Sequence, residues 1–281
     1  MFTLNARGKL LTIDQPVLMG VLNRTQESFY GGSRFMNDDE LLRRGEKMIT
    51  EGADWLDVGG QSTRPGAELV GVEEELRRVI RAIELLHREW PQLPLSVDTW
   101  HARVAEEAVE AGASIVNDVS GGGMDPAMLG TVARLQAPFV CMHMKGLPAT
   151  MNKEAHYDNV VGEVLDFFIR QLETCRLAGI HDVILDPGWG FAKTAAHNFQ
   201  LLHGLSLLRI CGRPMMLGLS RKSTIYRTLG VGPAEALNGT TVLHTIGLLN
   251  GADILRVHDP REAREAIRLL AAYREAQQKT R

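Results

Sequence analysis

Hydrophobic and polar positions alternate along this chain in a long rhythm. A short apolar run rich in branched residues ends in a polar or glycine-rich loop, and a longer amphipathic stretch follows. The short runs are VLMGVL (17–22), WLDV (55–58), LSVD (95–98), SIVND (114–118), FVCMH (139–143), VILD (183–186), MMLGLS (215–220) and ILRVH (254–258). Between them lie helical patterns such as EEELRRVIRAIELL and VVGEVLDFFIRQLETCRLAG. Several of these end in a glycine just before the next run, at Gly52, Gly112, Gly179 and Gly251. A glycine past a helix end accepts the left-handed cap conformation, so these positions read as helix stops.

Strands alternating with helices imply parallel pairing with crossover helices. Eight such units fit a closed (β/α)8 TIM barrel of the α/β class better than an open doubly wound sheet. An open sheet would carry a G-x-G-x-x-G turn after an early strand, whereas the first run here ends in Asn23-Arg24-Thr25-Gln26. The opening segment FTLNARGKLLTI reads as a hairpin turning at Asn5 to Gly8. The expected organisation is one domain over 1–281, with the hairpin in 1–15, the barrel in 16–275 and a polar tail in 276–281. The chain's 281 residues suit that choice, because barrels of about 250 residues form single units.

Composition narrows the function. A net charge of -3 without a basic cluster gives no field for nucleic acid. No stretch reaches the roughly 18 apolar residues of a membrane helix, and the first residues lack the basic and apolar regions of a secretory signal. Three scattered cysteines, Cys141, Cys175 and Cys211, form no C-x-x-C pair. A cytoplasmic protein is expected, in which the sequon Asn23-Arg24-Thr25 has no glycosylation role.

In a barrel, chemistry gathers at the C-terminal ends of the strands. The runs deliver Asn23, Asp57, Asp98, Asn117, Asp118, His143, Asp186, Ser220 to Lys222, Arg256 and His258 to that face. Taken singly, each Asp or Asn has an alternative reading as a turn or cap residue; the repetition favours a shared pocket. Ionised Asp only accepts hydrogen bonds and Asn does both, which suits a heterocycle with several N–H groups. Lys222, Arg256 and His258 suit an anionic tail. The bland alternative is that Lys222 and Arg256 pair internally with Asp186 or Asp98. Two loops stand out: DVGGQSTRPGA (57–67), and LDPGWGFAKT (185–194), where Trp189 and Phe191 either flank an aromatic ligand or, for Trp189, cover the barrel rim. There is no H-E-x-x-H, no Cys/His metal spacing and no G-x-S-x-G.

These blocks, MGVLNRTQESF (19–29), DVGGQSTRPGA, SVDT (96–99), NDV (117–119), MHM (142–144), LDPGWGFAKT, LSRKS (219–223) and RVHD (256–259), fall in the order seen in one known family. The chain resembles the dihydropteroate synthases of folate biosynthesis over Val17 to about His258. The resemblance implies condensation of 6-hydroxymethyl-7,8-dihydropterin pyrophosphate with p-aminobenzoate, giving 7,8-dihydropteroate and pyrophosphate. It implies a pterin pocket of Asp98, Asn117, Asp186 and Lys222, walled by Met142 and Gly218. It implies pyrophosphate binding at Asn23, Arg256 and His258, with Mg2+ at Asn23. Thr63 and Arg64 are implied to close over p-aminobenzoate, whose site Phe191 and Ser223 bound. Asp98, Asp186, Lys222, Arg256 and His258 become the expected catalytic set, and a homodimer the expected assembly.

The chain departs from the family pattern in two loops. NRTQESFYGGS replaces the usual NVTPDSFSDGG, so that Gly31 stands where Asp is usual, and Gln61 stands where Glu is usual. Two other readings remain open from sequence: a pterin-binding paralogue with weak synthase activity, and a methyltransferase acting on methyltetrahydrofolate.

Overall fold

The computed structural model describes residues 1–23, 37–61, 70–146 and 150–278. Its frame is an eight-stranded parallel sheet. The strands are β3 (Val17–Asn23), β4 (Trp55–Gly59), β5 (Leu95–Asp98), β6 (Ile115–Asp118), β7 (Phe139–Met142), β8 (Val183–Asp186), β9 (Met216–Leu217) and β10 (Ile254–Val257). They lie in the order β8-β7-β6-β5-β4-β3-β10-β9. A parallel bridge from Leu185 to Met215 closes the ring, supported by Leu185 N–H donating to Pro214 O at 2.9 Å. The expected (β/α)8 barrel is therefore the observed one.

The strands are buried on both faces, as parallel strands covered by helices must be. Along β3, Leu18 and Leu22 join the layer between sheet and helices, while Val17 and Met19 enter the barrel. Gly20 faces outward, where a Cβ would lie 2.9 Å from Met48 Sδ and 3.1 Å from Leu56 Cδ2. Helix α1 (Asp38–Thr50) can pack close to the strand only because that position carries no side chain.

The covering helices continue with α2 (Val72–Glu89), α3 (Ala102–Glu110), α4 (Met128–Leu135), α5 (Val160–Ala178), α6 (Ala195–His203), α7 (Leu205–Leu208), α8 (Ser223–Leu229), α9 (Leu237–Leu249) and α10 (Pro260–Gln278). The four glycines read as helix stops all have positive φ, between 92° and 122°. None of the described helices is long and apolar enough to cross a membrane.

The N-terminal hairpin pairs β1 (Phe2–Ala6) with β2 (Lys9–Ile13) in antiparallel register, Ala6 opposite Lys9. Its two-residue turn has Arg7 at φ 54° and Gly8 at φ 89°, the twist that a tight hairpin needs. Leu4, Ala6, Leu11 and Ile13 point from it into the end of the barrel, against Met19, Trp55, Ile115, Val140, Ile184, Met216 and Ile254. The hairpin is thus a plug on the apolar end of the barrel, leaving the other end for chemistry.

One strand is shorter than the sequence suggests. The run 215–220 reads as a strand throughout, yet only Met216–Leu217 pair as one. Beyond Gly218 the chain turns, with Arg221 at φ 53° and Lys222 N–H donating to Leu219 O at 3.2 Å. That turn sends Lys222 inward and Arg221 outward to a two-pronged pair with Asp259, at 2.7 and 2.8 Å.

Candidate active site

Period-two alternation carries the apolar residues of the barrel interior at one end and polar ones at the other. Ser96 and Asp98 on β5, Asp57 on β4, Asn117 on β6, Asp186 on β8 and Arg256 on β10 supply the polar layer. Three of these strand-end residues converge on the Arg256 guanidinium or its partner. Arg256 Nε donates to Asp57 Oδ2 at 2.7 Å, and its Nη2 donates to Asp98 Oδ2 at 2.6 Å. Asn117 Nδ2 donates to the same Asp57 oxygen at 3.2 Å. The internal ion pair weighed as an alternative for Arg256 therefore exists with Asp98, and Asp57 completes it.

Burial dominates the electrostatics. It pushes Asp98 up to about 7, with Arg256 pulling the other way and Asp57 adding to the rise. Asp186 is raised by burial too, opposed by Lys222 and by the Gly188 N–H that donates to its Oδ1 at 2.8 Å. Burial lowers Lys222 to about 8 while Asp186 resists. For Arg256 burial works against the charge, but Asp57 and Asp98 outweigh it, so the guanidinium stays ionised. Carboxylates and cations here share protons as a group rather than one by one.

Lys222 does not form a direct salt bridge among the described residues. Its Nζ donates to Trp189 O and stands 4.3 Å over the Phe191 ring, a cation–π contact. Phe191 packs with Trp100, Met142, Met151 and Ala192 in a small apolar cluster on the active face. Met142, expected as a pocket wall, is one member of that cluster. Gly218 faces Asp186, and a Cβ there would rest in ordinary contact 3.7 Å from Asp186 Oδ2. Ser223 opens α8 directly after Lys222. His258 meets Ser220 Oγ through both its backbone N–H, at 3.2 Å, and its Nδ1, at 3.1 Å.

The loop after β8 is held by close backbone approach. At Gly188, φ 71°, a Cβ would fall 2.0 Å from His143 O, which no side chain survives. Lys193 reinforces the loop: its Nζ contacts His143 Nδ1 at 2.9 Å, Phe191 O at 3.0 Å and His143 O at 3.3 Å. Burial lowers Lys193 to about 7, with Asp186 opposing. The three acceptors match the three hydrogens of an ammonium.

Several expectations need correction. Trp189 is buried in the main core, edge-on to Phe199 at 5.9 Å, and does not line the pocket. Asp118 turns into its own loop, accepting from Ser120 N–H at 2.7 Å and Gly122 N–H at 2.9 Å, as a turn residue does. His143 faces Lys193 rather than the Asp98 group. Thr63, Arg64 and Gly31 lie outside the described residues. Conversely, sequence reading gives no partner to Asp57 and no role to Lys193. The strand-end aspartate in DVGG was the available signal for the first; nothing in the spacing joins it to Arg256, 199 positions away.

Comparison with known proteins identifies the family. The sequence model of the family described as "Pterin binding enzyme" matches residues 19–258. The dihydropteroate synthase of Escherichia coli K12 is 40% identical over 269 residues, covering 95% of each chain. A solved structure of Xanthomonas albilineans dihydropteroate synthase with 4-aminobenzoic acid superposes with a TM-score of 0.90 at 41% identity, covering 97% of this chain and 98% of that one. Another structure of the Xanthomonas enzyme, in complex with 7,8-dihydropteroate, gives a TM-score of 0.87 at 38% identity over the same shares.

Proposed function

The chain belongs to the pterin-binding enzyme family, and from that premise we propose how its polar barrel end performs the dihydropteroate synthase reaction. The reaction is a non-methyl transfer: p-aminobenzoate attacks the methylene carbon of 6-hydroxymethyl-7,8-dihydropterin pyrophosphate, and pyrophosphate leaves. The observation that carries the division of labour is the Asp57–Arg256–Asp98 group with Asn117 beside it.

Pterin is a flat ring with several N–H donors, and Asp98, Asp186 and the Asn117 carbonyl are its acceptors. Gly188 holds one Asp186 oxygen, leaving Oδ2 beside Gly218 for the ligand. Lys222 adds a donor toward the ring carbonyl, and Met142 forms a wall. As the carbon–oxygen bond breaks, positive charge grows on the pterin and negative charge on the leaving group. Asp98 and Asp186 oppose the first; Arg256 and His258 oppose the second. Phe191 and Ser223 bound the p-aminobenzoate side, and Thr63 and Arg64 act on that substrate. The amine itself is the nucleophile, so the chain needs none.

Mg2+ fits at Asn23. This residue ends β3 with its Oδ1 set against Gly59, where a Cβ would come within 2.8 Å, so only glycine leaves the amide in that place. Among the described residues no three His, Cys, Asp or Glu side chains form a metal cluster. One amide oxygen suits a cation that takes its remaining ligands from water and phosphate. When bound there, Mg2+ neutralises charge on the departing pyrophosphate.

The test is direct. Purified protein given pterin pyrophosphate, p-aminobenzoate and Mg2+ should release pyrophosphate only when p-aminobenzoate is present. Tight pterin binding without that release would instead favour the weak-synthase paralogue. A cytoplasmic homodimer completes the reading. The apolar outer positions Val242, Leu249, Leu269 and Tyr273 on α9 and α10 support the pairing.

A further inference from the structure

We propose that Gln61 and Glu75 are positioning residues for the second substrate, fastening residue 61 to residue 70 and both to the strand end that carries Asp98. This rests on the reading above, in which Thr63 and Arg64, between those two points, act on p-aminobenzoate.

Gln61 is buried and its amide is fully used. Its Oε1 accepts from Val70 N–H at 2.9 Å, and its Nε2 donates to Val70 O at 2.6 Å and to Glu75 Oε2 at 2.9 Å. One side chain therefore closes both backbone groups of Val70, as a strand partner would. The preceding residue is pinned as well. Arg78 Nη1 donates to Gly60 O at 2.9 Å, and a Cβ on Gly60 would meet Val79 Cγ2 at 2.9 Å and Glu75 Cγ at 3.0 Å. Gly60 and Gln61 thus lie flat on the first turns of α2.

Glu75 carries the connection onward. It has no exposed surface; His101 Nε2 lies 3.7 Å from the same Oε2 that Gln61 reaches, and Thr99 is a further neighbour of the carboxylate. Thr99 follows Asp98, donates its N–H to Asn117 O at 2.9 Å and accepts from His101 N–H at 3.1 Å. A chain of side-chain contacts thus runs from Val70 through Gln61 and Glu75 to the residue beside Asp98. A fully buried carboxylate is costly unless it has such partners. Packing α2 on the barrel needs none of it, because an apolar residue would fill the same place.

The amide at position 61 has a specific chemical consequence. A neutral Gln donates to Glu75 at every pH, whereas an ionised Glu, usual in the family, has no hydrogen to give. Two carboxyls at this distance must share a proton. The other charged groups facing Glu75 are Arg78 on α2, His101 at the head of α3 and Asp98 on β5. Burial already raises the Glu75 carboxyl, with Gln61, Thr99, His101 and Arg78 opposing.

The experiment compares parent, Gln61→Ala, Gln61→Glu and the exchanged pair Gln61→Glu/Glu75→Gln by steady-state kinetics, pterin pyrophosphate calorimetry and amide hydrogen exchange. Gln61→Ala should raise KM for p-aminobenzoate about tenfold while kcat and pterin affinity change less than about twofold. Its Val70 amide should exchange at least about tenfold faster. Gln61→Glu should match the parent at the acidic end of the profile and lose kcat/KM for p-aminobenzoate as pH rises and the shared proton leaves. The exchanged pair restores one amide and one carboxyl and should recover the parental profile. An unchanged KM in Gln61→Ala would overturn the proposal. So would a parental pH profile in Gln61→Glu, or equal losses of KM and pterin affinity. If the parent itself releases no pyrophosphate, the synthase reading fails, and the exchange rate at Val70 alone decides whether the fastening exists.

Discussion

The two ends of one barrel interior are built on opposite terms. At the hairpin end, Met19, Trp55, Ile115, Val140, Ile184, Met216 and Ile254 meet Leu4, Leu11 and Ile13 in a sealed apolar layer. At the other end the barrel strands present Asp57, Asp98, Asn117 and Asp186, buried but polar, around the partly buried Arg256. Burying apolar surface stabilises without demanding geometry, at about 25 cal/mol per Å2. Burying charge stabilises only when every partner is in place, and apolar residues of similar volume often do better. The polar end gives up stability to hold acceptors and cations ready for a ligand, and the hairpin end compensates.

That contrast can be broken at either end. Lys222→Ala or Asp186→Asn should give the largest effect, lowering pterin pyrophosphate affinity by about a hundredfold or more, roughly 3 kcal/mol. Denaturant unfolding should change little. Unchanged calorimetric affinity would remove these residues from the pocket. Ile184→Ala, two positions from Asp186 on the same strand, should do the reverse. A cost of about 2–4 kcal/mol in unfolding free energy is expected, with pterin affinity within a few-fold of the parent. A lost affinity with unaltered unfolding would show that the two ends are not separable.

Titration sharpens the contrast next. With Asp98 near 7 and Lys222 near 8, kcat/KM should be bell-shaped, falling about tenfold per pH unit outside those limbs. For stability, Asp98 is raised above its unfolded value, so the folded state holds the extra proton between about pH 4 and 7. Its contribution is greatest below pH 4 and declines as pH rises through 7. Asp98→Asn should flatten that part of the stability profile, while Ile184→Ala should leave it unchanged. The smallest effect belongs to the plug's outer turn: Gly8→Ala, with open space around φ 89°, should cost about 1 kcal/mol and leave kinetics alone. A kinetic change there would link the hairpin to the active face.

Much of this was legible in the chain. The eight apolar runs, the four helix-stop glycines and the hairpin around Asn5 to Gly8 are local matters of backbone preference and burial, and they predict the barrel and its hairpin, though not that the hairpin plugs the barrel. Strand-end residues such as Asp98, Asn117 and Asp186 follow once the barrel is accepted, because the period of two fixes which side faces in. Trp189 was ambiguous because an aromatic in a glycine-rich loop serves a core as well as a pocket. The Met215–Ser220 run was over-read because its hydrophobicity does not reveal the turn at Arg221.

The sequence by itself determined the elements, their order and the set of chemistries brought to one face, since these depend on residue type and periodicity over short spans. Only the tertiary structure decided who meets whom: Asp57 with Arg256, Lys193 with His143, Gln61 with Val70 and Glu75. The first two join elements 199 and 50 positions apart in the chain, and the third fixes a loop on its own helix. Their strength lies in distance and burial, which closure of the barrel sets all at once.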